Sequence, residues 1–226
     1  MLKCVIPAAG YAVRMYPLTC DYPKSLLVVD KKPILSHLVE SVREFVSDIT
    51  VVTNNKFYEV MSIWSREYPE VNLIDDKTTC DAERLGALVD LSLAIQPGSD
   101  YIVMASDNYL DFPLDSFIQY YQKVQTSCVM YHEIEDPDRL RRTAVISVSD
   151  SVVTWFKEKP ECPYSTLAVP PFYIYTEDDC AKLSDLISSR CNLDSLGSFA
   201  EWLYSRSTIH AFKMPGTCID ISDLYY

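Results

Sequence analysis

Glycine is scarce in this chain, with five in 226 residues. Neither a Walker loop nor a dinucleotide fingerprint can be assembled from them, because both glycine spacings are absent. Cysteines stand at 4, 20, 80, 128, 162, 180, 191 and 218 without a C-x-x-C pair, and His37, His132 and His210 are isolated. The usual zinc spacings are therefore excluded, and a disulfide framework is disfavoured in a chain of this size. Cys4, Cys128 and Cys218 lie in apolar runs and read as small core residues. No apolar run approaches the ~20 residues that span a bilayer. The start, Met1-Leu2-Lys3-Cys4-Val5-Ile6-Pro7, lacks the apolar stretch and cleavage site of a signal peptide and reads as a strand. The expectation is a cytoplasmic protein with no membrane partner. Basic charge is also short, with 20 Lys and Arg against 32 Asp and Glu, a net of −12. A broad basic face for nucleic acid is excluded on that balance.

What the chain does contain is ordinary globular composition, 48% apolar and 23% charged, enough for a sizeable core. Its charge is uneven. Residues 1–33 hold Lys3, Arg14, Lys24, Lys31 and Lys32 against only Asp21 and Asp30. A small positive region in an acidic protein suits a compact anion such as phosphate, although a solvated basic face explains the charge equally well.

Runs of Val and Ile alternate with helical spacing through the first half. Strands are expected over 2–8, 48–53, 71–74 and 101–105, with helices at 35–46, at 57–64 and from near Asp81. Such alternation predicts parallel pairing through right-handed crossovers. The second half is strand-like over 127–132, 143–148, 152–156 and 167–175, which predicts antiparallel additions. Helices are expected at 177–188 and 195–205, then strands at 209–214 and 218–221. The pattern reads as one α/β/α domain over residues 1–226, its sheet mixed but mostly parallel, with an antiparallel insertion.

The first strand runs into Ala8-Ala9-Gly10-Tyr11-Ala12-Val13-Arg14, and Pro23-Lys24 follows shortly after. Ligands of open α/β sheets gather beyond the carboxyl ends of strands. Small residues there let backbone N–H groups approach a phosphate, and an Arg–Lys pair can neutralise it. The same segment also reads as an ordinary surface loop. Asp107 follows the 101–105 strand, and Asp220 lies between Ile219 and Ile221. Two single aspartates suffice for Mg²⁺, which prefers one or two carboxylates with phosphate oxygens and water. A turn-forming Asp107 and a hydrogen-bonded structural Asp220 are the plainer readings. Asp220 in particular needs a partner, since an unpaired carboxylate in an apolar strand is costly.

The stretch from Ala8 to Thr19 with Pro23-Lys24 resembles the signature of the sugar-1-phosphate nucleotidylyltransferases, A-A/G-G-x-G-T-R-[LM]-x-P-L-T followed by P-K. Lys32-Pro33-Ile34, Glu83-Arg84-Leu85-Gly86-Ala87, Ser106-Asp107-Asn108, Glu158-Lys159-Pro160 and Asp220-Ile221-Ser222 resemble further family segments, in the right order. The resemblance implies a three-layer Rossmann-like nucleotidyltransferase fold. It implies an enzyme that joins a nucleoside triphosphate to a sugar 1-phosphate and releases pyrophosphate, with Mg²⁺ as cofactor. A nucleotide-binding part would span about 1–110 and a sugar-phosphate-binding part about 111–226.

Residue by residue, the resemblance implies that Ala8, Ala9, Gly10, Tyr11, Ala12 and Val13 cradle the triphosphate while Arg14 faces the leaving pyrophosphate. Lys24 would lie between the α-phosphate and the sugar phosphate. Asp107 and Asp220 would hold the metal, and Asn108 would bind substrate. Glu83, Leu85 and Gly86 would abut the base. Glu158 would accept from sugar hydroxyls, and Lys159 would anchor the sugar phosphate. Ala12-Val13, Ser25, Ser106 and Ser222 depart from the family's Gly-Thr, Pro, Gly and Gly. The Ala12 departure matters only if the backbone there needs positive φ. None of the charged residues is lost, which favours an active enzyme. The alternatives are a silent nucleotide-sugar-binding regulator and a cytidylyltransferase acting on a non-sugar phosphate or phosphonate. Glu83-Arg84-Leu85-Gly86 lacks the Q-P-x-G-L-A pattern of thymidylyl enzymes and is nearer the E-P-L-G of guanylyl ones. No hexapeptide repeat precedes Tyr226, so the β-helix domain of longer relatives is not expected. Self-association is left open.

Overall fold

A computed structural model describes residues 1–189 and 192–225. Its centre is a ten-stranded sheet. From one edge the strands are Leu167–Val169, Ala144–Ser149, Val152–Glu158, Ile209–Lys213 and Ser127–Glu133, then Phe172–Tyr175, Asp100–Met104, Leu2–Pro7, Ile49–Thr53 and Val71–Asp75. The last four named run parallel, as their crossover spacing predicts. Phe172–Tyr175 turns antiparallel against both Asp100–Met104 and Ser127–Glu133. Val152–Glu158 pairs antiparallel with both its neighbours. Ile209–Lys213, in contrast, returns parallel to Ser127–Tyr131.

Both faces of the inner parallel strands are buried, which explains their continuous apolar runs. Cys4, Ile6, Ile102 and Met104 point to one face. There they meet Ile34, Leu35, Leu38 and Val39 of the helix Ile34–Val42 and Phe117 and Ile118 of the helix Asp115–Val124. Val5, Val52, Tyr101 and Val103 point to the other face, against Leu88 and Leu91 of the helix Ala87–Ala94 and Phe199 and Leu203 of Gly197–Leu203. Three layers result.

Several expectations need correction. The helix placed near Asp81 is a single 3₁₀ turn, Asp81–Glu83, and the α-helix starts only at Ala87. Gly86 interposes a left-handed φ of 93° that ends any continuous helix. The strand expected over 167–175 breaks at Pro170-Pro171, where the missing N–H groups cannot serve a ladder. The helix expected at 177–188 is two, Glu177–Cys180 and Leu183–Ser188. Cys218–Asp220 leaves the main sheet and pairs with Asn108–Leu110. The seven cysteines among the described residues are all thiols, and Cys191 lies outside them. No helix of the described residues is long and apolar enough to cross a membrane.

The register also positions the ends of strands. Glu158 stands opposite Ala144, and Ala144 opposite Val169. Three residues on, Phe172 pairs with Met104 at the carboxyl end of Asp100–Met104. The far side of the sheet thereby brings Glu158 and Lys159 to the edge where the first strand enters its loop.

Candidate active site

The loop after Leu2–Pro7 is fixed from three sides. Asn54 donates from Nδ2 to the Ala9 carbonyl (2.8 Å) while its Oδ1 caps the following turn by accepting from Phe57 N (2.9 Å). Thr19, fully buried, donates to the Ala12 carbonyl (2.8 Å). The Tyr11 hydroxyl meets Thr78 Oγ1 at 2.9 Å. Ala8, Ala9 and Tyr11 are buried, whereas Gly10, Val13 and Arg14 are exposed. A Cβ on Gly10 would meet nothing within 4 Å, so the space above the strand end is open. Ala12 has φ 48°, in the left-handed region. The departure from glycine therefore falls where glycine is favoured.

Lys24 follows Pro23 at the start of a short 3₁₀ turn, Lys24–Leu26. Its ammonium donates to Asp107 Oδ2 at 2.7 Å and to Asp220 Oδ1 at 2.9 Å. Side-chain exposure is 13% for Lys24, against 32% and 43% for the two acids. The partner that Asp220 needs is thus Lys24. Burial alone would lower the Lys24 pKa, but the two carboxylates outweigh it and the pKa rises. Asp220 shows the mirror image: burial pushes it up, yet Lys24 and the Ser222 N–H hold it below the usual carboxylate range.

Both carboxylates have further supports. Asn108 donates to Asp107 Oδ1 (2.8 Å), so this buried amide positions the acid beside it. Ser222 N donates to Asp220 Oδ1 (2.8 Å), and Ile221 N to the Asp107 carbonyl (2.9 Å). Asp220 is in register with Asn108 across the two-stranded ladder. Two hard oxygen donors already converge on one cation, the ammonium. That donor set fits a divalent ion of the Mg²⁺ type completed by phosphate oxygens and water.

Glu158 and Lys159 form a second cluster. Burial raises the Glu158 pKa, which the Lys159 ammonium at 3.7 Å only partly offsets. Lys159, at φ 47°, donates to Ser195 Oγ (2.9 Å). A Cβ on Gly197 would run into the Glu158 carboxylate, so a glycine there leaves the acid its space.

The third group is less convergent. Glu83 is exposed and its Oε2 accepts from Thr79 N and Oγ1 (2.8 Å each), which ties the acid to its own loop. Leu85 is exposed and Gly86 buried. Leu88 N donates to the Leu193 carbonyl (3.0 Å), and Arg84 pairs with Asp194 (3.0 Å). The segment 193–197 thus joins the Gly86 stretch to the Glu158–Lys159 pair. Asn54 and Ser195 belong to none of the residues singled out from sequence, while Thr19 closes the signature stretch without a role of its own. Nothing in the sequence signalled the bond from Asn54 to Ala9.

A small-residue loop at a strand end thus stands with a largely buried lysine held by two aspartates. The family model described as nucleotidyl transferase matches residues 3–212. The chain belongs to the nucleotidyl transferase family. The UTP–glucose-1-phosphate uridylyltransferase AglF of Haloferax volcanii is 27% identical over 97% of this chain and 91% of its own length. A mannose-1-phosphate guanyltransferase of Yarrowia lipolytica is 26% identical over 97% of the chain, which spans 60% of that relative. Among solved structures, a UDP-glucose pyrophosphorylase complexed with UDP-glucose superposes with a TM-score of 0.79 at 23% identity, covering 100% of this chain and 95% of that one. The family and the Rossmann-like fold expected from the ordered motifs agree with these matches.

Proposed function

We propose that this nucleotidyl transferase joins a nucleoside triphosphate to a sugar 1-phosphate, giving a nucleoside-diphosphate sugar and pyrophosphate. The observation that carries the reading is the Lys24 ammonium held by Asp107 and Asp220. The relatives' named reactions on glucose 1-phosphate and mannose 1-phosphate support the substrate class.

In this reading an oxygen of the sugar phosphate attacks the α-phosphorus as the bond to the pyrophosphate oxygen breaks in line. The reaction brings anions together, so the protein's work is neutralisation and positioning. The backbone from Ala8 to Val13 lies along the triphosphate, with Gly10 leaving room and Arg14 toward the departing pyrophosphate. Lys24 faces both reacting phosphates. Asp107 and Asp220 would hold Mg²⁺, which neutralises phosphate oxygens when bound. Glu158 accepts from sugar hydroxyls and Lys159 holds the sugar phosphate. Glu83, Leu85 and Gly86 border the base. The nucleotide part then falls in about 1–110 and the sugar-phosphate part in about 111–226.

Pyrophosphate release tested across four nucleoside triphosphates and a panel of sugar phosphates, phosphocholine and phosphonates examines this directly. Turnover with one sugar 1-phosphate is the expected result. Turnover only with phosphocholine or a phosphonate would replace the sugar as substrate. Nucleotide-sugar binding without any turnover would overturn the enzymatic reading.

A further inference from the structure

Resting on the proposed role of Asp107 and Asp220 as cation ligands, we infer that Lys24 is a removable occupant of that site, whose ammonium excludes a divalent ion until a polyphosphate draws it away. The ammonium lies 2.7 Å from Asp107 Oδ2 and 2.9 Å from Asp220 Oδ1. A dication bound to the same two oxygens at ~2.0–2.1 Å would occupy the same space and meet a like charge in contact. The two cations are mutually exclusive.

Three observations make the exchange workable. The carboxylates have supports besides Lys24: Asn108 donates to Asp107, Ser222 N donates to Asp220, and Asp220 is in register with Asn108 across the ladder. The turn carrying Lys24 is pinned through Leu26 N to the Pro23 carbonyl (3.0 Å) and Leu27 N to the Lys24 carbonyl (3.1 Å). The lysine side chain can therefore leave while the backbone remains. The trio also carries one net negative charge, so the ammonium leaves the carboxylates only partly neutralised and a dication would suit them better. A triphosphate in the Gly10 loop supplies a stronger anionic partner, and the pair it vacates is then free for the metal. Nucleotide and cation binding become coupled through one side chain.

Mn²⁺ titration without nucleotide, followed by water-proton relaxation, tests the exchange in the full chain. Lys24→Met should bind Mn²⁺ about 10- to 100-fold more tightly than wild type, the usual span of such coupling. Lys24→Arg should remain as weak as wild type. The double variant Lys24→Met/Asp220→Asn should lose the gain, and Mn²⁺ should raise the Tm of Lys24→Met but not of wild type. Equal binding by wild type and Lys24→Met, abolished by Asp220→Asn, would overturn the exclusion and leave the cation site standing. Binding by no variant would overturn both. Wild type decides the matter even if Lys24→Met does not fold. Saturation of wild type by micromolar Mn²⁺ alone would refute the inference, as would failure of inorganic tripolyphosphate to create a protein-bound Mn²⁺ signal.

Discussion

Asp90 sits in the first turn of the helix Ala87–Ala94, 6% exposed, with Oδ1 enclosed and without a hydrogen-bond partner. Burial, and then the nearby Asp76 carboxylate, push its pKa from 3.8 up to about 7. The folded state therefore holds a proton between those values that the unfolded chain has released. Stability contributed at this residue falls as pH rises through that interval and is at its lowest above it. Asp90→Asn removes the titration but leaves an amide with the same lack of partners. It should stabilise the protein by about 1–3 kcal/mol at pH 8, with the difference shrinking toward zero near pH 4. Urea denaturation at the two pH values measures it, and a pH-independent difference would contradict the assignment. Ala12 illustrates a second local conflict, an L-residue at φ 48° held there by Thr19. Ala12→Gly should raise stability by about 0.5–1 kcal/mol in the same denaturation series.

Elements were legible in the sequence where burial writes a simple pattern. The strands Leu2–Pro7, Ile49–Thr53 and Asp100–Met104 are covered on both faces, so their apolar runs are nearly unbroken. The helix Asp115–Val124 escaped notice because only Phe117, Ile118 and Tyr121 are buried in it, among polar neighbours. The parallel return of Ile209–Lys213 was hidden for another reason: pairing direction depends on where the preceding helix leaves the chain, which strand composition does not record. Gly86 shows how one residue sets an element's boundary. Its φ is 93°, and a Cβ would stand 2.8 Å from the Leu193 carbonyl oxygen that accepts from Leu88 N. Gly86→Ala should cost about 1–3 kcal/mol, more than the backbone term alone, because a backbone atom must also move. Thermal denaturation checks this, and a loss well under 1 kcal/mol would show that segment 193–197 yields easily.

Across the whole molecule, the candidate site is assembled from contacts between distant parts of the chain. Lys24 lies 83 residues from Asp107 and 196 from Asp220 in sequence. Each charged residue was legible through its own motif, but their mutual pairing was not, since it depends on the ladder that leaves the main sheet. The supports at Asn54 and Ser195 were hidden for the same reason, since their partners lie 45 and 36 residues away, whereas Thr19 reaches only seven residues back to Ala12. The two lysines now differ in setting as well as in motif. Lys24 is nearly buried between two acids, whereas the Lys159 side chain is 54% exposed and reaches Ser195. In the proposed role Lys24 lies beside the reacting phosphates, where charge shifts in the transition state, so Lys24→Ala should lower kcat by roughly 100-fold or more. In its proposed role the exposed Lys159 grips the sugar phosphate, alike in ground and transition states. Lys159→Ala should therefore raise KM for the phosphorylated sugar with kcat little changed. Steady-state kinetics with both substrates varied distinguishes the two. Kinetics at wild-type values in both variants would show that neither side chain meets a reacting group. That result would remove the proposed roles of both while leaving the fold untouched.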